Sequence, residues 1–281
     1  MDRPGWWVWL GAGVIAAAMA LARAGVLPAA QNLTPVCWTG FILAVDGLLA
    51  RSGRSWLRNA PGELALMAAI SIPSWLLFEL YDRPRFWLPG GPELWWHYSG
   101  LPPWPWRGIG YAWSFATITP ALLLLGQLLE PAADRVAGRG AGGRVPRELG
   151  LAVAAVGAIL AAIPLLWPSE YLAADVWLAW PLLLDPINHR LGLPSVLGDL
   201  ESGRRGRAVA LAASGLACGA LWESWNWLAS ARWSYTVPFL GGVKLYEMPV
   251  LGFLGFVPFA FAAFALYQFL RGLLPGRAPA I

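Results

Sequence analysis

The chain has 281 residues, of which 58% are apolar and only 13% charged, and its mean hydropathy is +0.54. Soluble domains carry about 25% charged residues, so this composition excludes an ordinary soluble fold and points to a polytopic membrane protein. The net charge of +4 resides in loop arginines and argues for no nucleic-acid partner.

Apolar runs predict eight spans, near residues 6–25, 34–50, 62–81, 108–129, 149–167, 171–187, 208–230 and 248–270. The first run follows Arg3 and ends near Ala20-Leu21-Ala22, as a signal peptide would. Asp2 offsets Arg3, however, and Trp6, Trp7 and Trp9 suit a membrane interface, so the run reads as a span. The second and sixth runs are short and carry Asp46 and Asp185; a six-helix count with two re-entrant or interfacial segments is the alternative. The expected fold is an all-α polytopic transmembrane helix bundle.

With eight spans, 14 of the 20 basic residues fall on one side, among them Arg51, Arg54, Arg58, Arg135, Arg139, Arg144, Arg147, Arg204, Arg205 and Arg207. Arg23, Arg83, Arg85, Arg107, Arg232 and Lys244 fall on the other. That asymmetry predicts a bacterial inner (cytoplasmic) membrane protein with both termini cytoplasmic, whose basic loops meet anionic lipid headgroups. Cys37 and Cys218 lie inside apolar runs without a metal or redox spacing and read as small core residues.

An internal repeat is visible. Asp46-Gly47-Leu48 precedes a basic loop, an apolar helix, the end Phe78-Glu79-Leu80-Tyr81-Asp82, a Trp-rich loop and a Pro-containing helix. Asp185-Pro186-Ile187 precedes the same series, with Trp222-Glu223-Ser224-Trp225-Asn226 as its acid-aromatic end. Asp46 to Glu79 is 33 residues and Asp185 to Glu223 is 38, a difference that fits a longer loop; Pro120 and Pro258 occupy similar places in the last helices. Four spans per half make parallel repeats, 1–130 and 149–281, joined by a basic Gly- and Ala-rich linker at 131–148.

Both acid-aromatic ends then emerge on the non-cytoplasmic side and face a shared cavity. Carboxylates in or beside bilayer-length segments are costly unless paired or wetted. Glu223 lies about fifteen residues, or roughly 22 Å, into its span, a depth at which a neutral proton-donating acid is expected. Asp82 lies one turn beyond Glu79, and Asn226 matches it in the second half. Proton donors with polar helpers beneath aromatic faces are one reading; buried acids that tie helices together are the other.

The loop at 83–107 carries Trp87, Trp95, Trp96, Trp104 and Trp106 with Pro84, Pro89, Pro92, Pro102, Pro103 and Pro105. That at 231–247 carries Trp233, Tyr235, Phe239 and Tyr246. Both suit an interfacial lid, or an aromatic belt with no ligand. Glu247, before Met248-Pro249, is either a first-turn charge or a third acid aimed at the cavity. Asp46 and Asp185, near Arg51 and His189-Arg190, suggest capping or ion pairing, and Asp185 with Asn188 offers too few ligands for Mg²⁺.

His97 and His189 fall on opposite sides, which excludes haem and di-iron His sites. A phosphate loop, a Cys/His cluster and a nucleophile elbow are also missing from the sequence. No cofactor and no metal are implied.

The segments Trp222-Glu223-Ser224-Trp225, Trp233-Ser234-Tyr235, Gly242-Val243-Lys244-Leu245, Met248-Pro249-Val250 and Phe256-Val257-Pro258-Phe259-Ala260 resemble the repeat of membrane-integral lycopene cyclases. Over about forty residues the second half is similar to that family, and the first half echoes it. Where the family has a glutamate pair this chain has Leu251-Gly252, with Glu247 the nearest acid. The run from Glu247 to Gly255 also resembles a family of bacterial polytopic membrane proteins. The cyclase resemblance implies a cofactor-independent isoprenoid (carotenoid) cyclase or isomerase acting on an apolar membrane lipid. Glu79, Glu223, Asp82 and Glu247 would handle protons, and Tyr81, Trp222, Trp225, Asn226 and Trp233 would hold the substrate. A proton-coupled transporter, with helices broken at Pro73, Pro120 and Pro258, is one alternative; a non-catalytic assembly or pigment-binding subunit is another. A homo-oligomer is left open.

Overall fold

The computed structural model describes residues 3–83, 93–236, 238 and 241–274. Helix α1 spans Trp7–Arg23, α2 Leu27–Gln31, α3 Leu33–Leu49, α4 Trp56–Asn59 and α5 Pro61–Asp82. After strand β1 (Trp96–Ser99) come α6 (Trp106–Ala137), α7 (Arg147–Leu166), α8 (Ala173–Arg190), α9 (Val196–Glu201) and α10 (Gly206–Leu228). Strands β2 (Arg232–Tyr235), β3 (Lys244–Leu245) and β4 (Met248–Pro249) and a 3-10 turn at Val250–Gly255 lead into α11 (Phe256–Gly272). Among the described residues five stretches are long and apolar enough to cross a membrane: Leu33–Ser52, Pro61–Asp82, Trp106–Ala137, Arg147–Leu166 and Val250–Gly272. At 17 residues, α1 is shorter. Polar residues dilute α8 (Asp175, Asp185, Asn188) and α10 (Glu223, Ser224, Asn226).

Helices pack closely where side chains are smallest, as expected where lipid tails replace water. A Cβ on Gly11 of α1 would stand 2.2 Å from the Gly40 carbonyl oxygen of α3, and one on Gly157 of α7 would stand 2.3 Å from the Leu183 nitrogen of α8. The helix pairs α5–α6 and α10–α11 also pack directly, and α6 lies against both α3 and α10. Trp38, Phe78, Leu122, Phe259 and Ala263 centre the larger apolar core; Leu49, Met67, Leu124, Phe264 and Tyr267 form a second one.

The helices expected to break at prolines are continuous through Pro73 and Pro120. Beside Pro120 a side chain from another helix joins the ladder. Thr119 N donates to Ser71 Oγ (3.0 Å), which in turn donates to Phe115 O (2.5 Å). A hydroxyl from α5 thus stands inside one rung of α6, the local adjustment that tolerates proline in an apolar helix. Pro258 falls in the first turn of α11, where its missing N–H removes no helical bond. The residues 131–148 are not all linker: α6 runs on through Pro131 to Ala137. Beyond it, Gly140 N and Gly143 N donate to Gly203 O and Glu201 O.

At the arginine-rich end, Asp46 accepts from Ser55 Oγ (2.7 Å), Trp56 N (2.6 Å), Leu57 N (3.3 Å) and Trp7 Nε1 (3.1 Å). Asp185 accepts from Val196 N and Leu197 N, both at 2.8 Å. Ser55 and Ser195 cap α4 and α9. Of the roles considered for these aspartates, capping is the one realised; Arg51 is not a partner of Asp46. Asn188 donates to Ala265 O, as a helix tie. His189 meets Glu201 (3.1 Å) and Arg207 meets Asp199 (3.1 Å).

Candidate functional site: an aromatic cavity backed by two carboxylates

The helices α5 and α10 each end in an acid followed, one turn on, by a polar anchor for a strand. Asp82 Oδ1 accepts from Trp95 N (2.7 Å) and Trp96 N (3.1 Å). Asn226 Oδ1 accepts from Trp233 N (2.9 Å) while its Nδ2 donates to Trp233 O (2.8 Å). Each anchor fixes the start of a Trp-x-Tyr strand: Trp96-His97-Tyr98 in β1 and Trp233-Ser234-Tyr235 in β2. The two strands pair antiparallel with Trp96 opposite Tyr235 and Tyr98 opposite Trp233. Side chains two apart share a face, so the two tryptophans and two tyrosines lie together on one side of the ribbon. On the other side, His97 bridges Glu93 (3.0 Å) and Thr236 (2.7 Å).

From that face the donors turn onto the acids. Glu79 Oε1 accepts from Tyr98 OH (2.6 Å), Trp75 Nε1 (2.8 Å) and Trp96 Nε1 (3.3 Å). Glu223 Oε1 accepts from Tyr235 OH (2.8 Å) and Trp233 Nε1 (3.3 Å), and that indole also donates to Tyr235 OH (2.7 Å). Glu223 is fully buried, and its Oε2 has no partner among the described residues. Burial, and then the neighbouring carboxylates, push the Tyr98 and Tyr235 hydroxyls well above the usual phenol range. Both therefore remain proton-bearing donors at any physiological pH.

Beneath the ribbon lies a cavity of about 580 Å³, within the range of pockets that hold small organic ligands. Its wall is aromatic: Trp38, Trp75, Trp95, Trp96, Tyr98, Tyr111, Phe115, Trp177, Trp222, Trp233, Tyr235, Phe256 and Phe259 all contribute. The rings also pack on one another, with Trp75–Trp222 centroids at 5.6 Å, Trp177–Phe259 at 5.3 Å and Tyr111 stacked on Phe115 at 5.5 Å. Such contacts hold the wall rigid, each worth about 0.5–1.5 kcal/mol beyond burial.

A chamber is present, but the acids expected to face it stand behind its wall. Neither Glu79 nor Glu223 lines it; Trp75, Trp96 and Tyr98 screen the first, and Trp233 and Tyr235 the second. The indoles of Trp75 and Trp222 pack on each other, with ring centroids 5.6 Å apart. Of the residues expected to hold a substrate, Trp222 and Trp233 line the cavity and Tyr81, Trp225 and Asn226 do not. Tyr81 is turned toward α7, where its hydroxyl donates to Ala161 O (2.9 Å). Trp225 packs edge-on against Trp38 (4.8 Å) in the core. Asn226 and Asp82 are consumed in holding the strands, as above. Glu247 lies 4.0 Å from Arg232 and not on the wall.

Trp75, Trp96, Tyr98 and Tyr235 were not singled out by the sequence as site residues. The signal was present: Trp-x-Tyr follows each acid-aromatic end, and Trp75 precedes Glu79 by one helical turn. Trp95 and Trp96, expected at an interface, are buried, whereas Trp104 and Trp106 are exposed. Pro84, Arg85, Trp87, Pro89, Pro92 and Phe239 lie outside the described residues. Cys37 and Cys218 are buried in the core. Among the described residues no group of three or more His, Cys, Asp or Glu is placed to hold a metal ion. Comparison with protein-family models, curated proteins and solved structures finds no match to this chain.

Proposed function

We propose that this chain is an integral membrane protein that binds an apolar lipid of the isoprenoid class in the aromatic cavity and acts on it by acid chemistry, as a cyclase or isomerase. The observation that carries the reading is the 580 Å³ cavity walled by aromatic rings, with two carboxylate-backed tyrosines on its rim of strands. In this reading the molecule consists of two parallel four-span halves in a bacterial inner membrane, with both termini cytoplasmic and the basic loops on anionic headgroups. Support comes from the matched bonds of Asp46 and Asp185, of Asp82 and Asn226, and of Glu79 and Glu223. The antiparallel pairing of the two Trp-x-Tyr strands, symmetric under exchange, supports it further.

The chemistry follows from the wall. With the acid protonated and the tyrosine hydroxyl turned from it toward the cavity, the carboxyl of Glu79 or Glu223 passes its proton to the tyrosine oxygen as the hydroxyl gives its own to an alkene carbon. Trp75, Trp96, Trp222 and Trp233 present π faces to the resulting carbocation, each contact being worth about 0.5–2 kcal/mol. Loss of a proton from the adjacent carbon returns it along the same route. The resemblance to membrane-integral lycopene cyclases favours this class, and Tyr–Glu pairs take the place of the family's glutamate pair.

Lipid binding without chemistry is the second reading, and one observation favours it: neither carboxylate touches the cavity. Transport loses the support it drew from broken helices, since α5 and α6 are continuous. Expressing the chain in cells that make linear isoprenoids, then analysing both the cell extract and the lipid held by the purified protein, separates these readings. A converted isoprenoid that vanishes in the Glu79→Gln and Glu223→Gln proteins supports the enzyme. An unaltered bound isoprenoid supports the binder. Protein free of any isoprenoid, with unchanged extracts, rejects both.

A further inference from the structure

The cavity changes character along α6. Arg107, Gly110, Tyr111, Ser114, Phe115 and Ile118 line it, the spacing of a single helical face. From Arg107 to Ile118 that face runs about 16 Å at 1.5 Å per residue. Its outer end is a rim: neighbouring Trp104 and Trp106 are 69% and 64% exposed, whereas Ile118 is 5% exposed. Exposed tryptophans belong at headgroup level, so the cavity opens where a lipid's polar end resides.

Arg107 is the only cation among the described residues that line this cavity. Its Nε donates to Pro102 O at 3.1 Å, which aims the guanidinium while its two terminal nitrogens keep no carboxylate partner among the described residues. No side chain caps α6, and although Arg107 N donates to Pro103 O, the helix dipole adds positive potential at the same place. Glu170, the one acid among the described residues of the wall, makes no ion pair with Arg107. A pure hydrocarbon would leave a preset guanidinium at the mouth of an apolar chamber without a counter-charge.

Building on the lipid reading of the cavity, we infer that the ligand is an amphiphile: an apolar chain against Trp75 and Trp222, ended by one anionic headgroup, phosphate or carboxylate, held by Arg107. Charge-assisted bonds to a guanidinium give the headgroup its affinity, and the aromatic wall gives the chain its own.

Binding is measured by tryptophan fluorescence on the full chain in neutral detergent, using two matched pairs: geranylgeranyl monophosphate with geranylgeraniol, and palmitate with hexadecanol. At least one anion is expected to bind about tenfold tighter than its alcohol. Arg107→Gln should reduce that ratio to within about twofold, leave the alcohol's affinity unchanged as proof of folding, and Arg107→Lys should restore part of it. Equal affinity within both pairs, or a preference that survives Arg107→Gln, overturns the headgroup assignment but leaves the apolar cavity standing. Inorganic phosphate that displaces the lipid phosphate at equal concentration overturns the amphiphile and leaves a plain anion site. Failure of all four lipids to bind rejects the cavity reading itself, and the headgroup with it.

Discussion

Three donors converge on Glu79 Oε1, from Trp75, Trp96 and Tyr98, whereas two converge on Glu223 Oε1, from Trp233 and Tyr235. The missing donor has a simple origin. One turn before Glu79 stands Trp75; one turn before Glu223 stands Gly219, whose bare backbone is covered by the Phe256 ring, 2.3 Å from where a Cβ would be. The second cluster exchanges an indole donor for close approach of α10 and α11. The anchors differ in the opposite sense. Asn226 both accepts from and donates to Trp233, while Asp82 accepts twice through one oxygen and leaves its other oxygen buried without a partner among the described residues. The acid is better satisfied in the first cluster, and the anchor in the second.

The largest expected effect breaks the acids. Glu79→Ala strands three part-buried donors, whereas Glu223→Ala strands only the Tyr235 hydroxyl, because the Trp233 indole keeps the Tyr235 oxygen as acceptor; each stranded donor costs about 1–3 kcal/mol. Partial repacking lowers the sums, so losses of about 3 and about 2 kcal/mol are expected, read from unfolding in mixed micelles. Equal losses, or a larger one at Glu223, would show that donor count does not govern these sites.

Exchanging the anchors comes next. Asn226→Asp removes the donor to Trp233 O and sets a carboxylate beside a carbonyl, at a cost of about 1–3 kcal/mol. Asp82→Asn keeps the acceptor for Trp95 N and Trp96 N, removes a buried charge and adds an amide, so a change of less than about 1 kcal/mol in either direction is expected. The same unfolding measurement decides; a large loss at Asp82→Asn would show that its charge, not only its oxygen, holds β1.

Ser71→Ala should cost about 1–2 kcal/mol, because Thr119 N and Phe115 O then face each other across an empty rung of α6 beside Pro120. Hydrogen exchange at Thr119 offers a local check: protection there should fall while protection in α7 stays as before.

Apolar patterning made the helices legible, since six of the eight expected runs coincide with a helix to within a few residues; α6 runs eight residues beyond its expected end at 129, and α11 starts later behind a 3-10 turn. The acid-aromatic ends were legible for the same reason: a carboxylate in an apolar run has few neighbours in sequence to explain it. Side-chain direction was not. Tyr81 lies two residues after Glu79, on another face of α5, and only the tertiary structure shows that it reaches Ala161 O of α7 while Glu79 meets the strands. The β-ribbon was hidden because four-residue strands between prolines carry little periodicity; the doubled Trp-x-Tyr was its only mark. Length gave one more clue of limited reach. The longer spacing in the second half resides between Ser195 and Gly206, as a loop difference should, but nothing in it revealed that both serines cap short helices.

The smallest effect sharpens the comparison most. Tyr98→Phe and Tyr235→Phe each remove one hydroxyl from one carboxylate, yet their surroundings respond differently. Around Glu79, Trp75 already donates at 2.8 Å and only Trp96, at 3.3 Å, has distance to close. Around Glu223, the Trp233 indole N–H is shared, 2.7 Å from Tyr235 and 3.3 Å from the acid. With the Tyr235 hydroxyl gone, that N–H turns wholly to Glu223 and recovers part of the loss. Tyr235→Phe should therefore cost about 0.5 kcal/mol and Tyr98→Phe about 1 kcal/mol, although the second cluster begins with fewer donors. If Tyr235→Phe proves the costlier, the indole is held by its ring contact with Trp222 (5.9 Å) rather than by its hydrogen bonds, and the aromatic wall, not the acid, sets the geometry of that cluster.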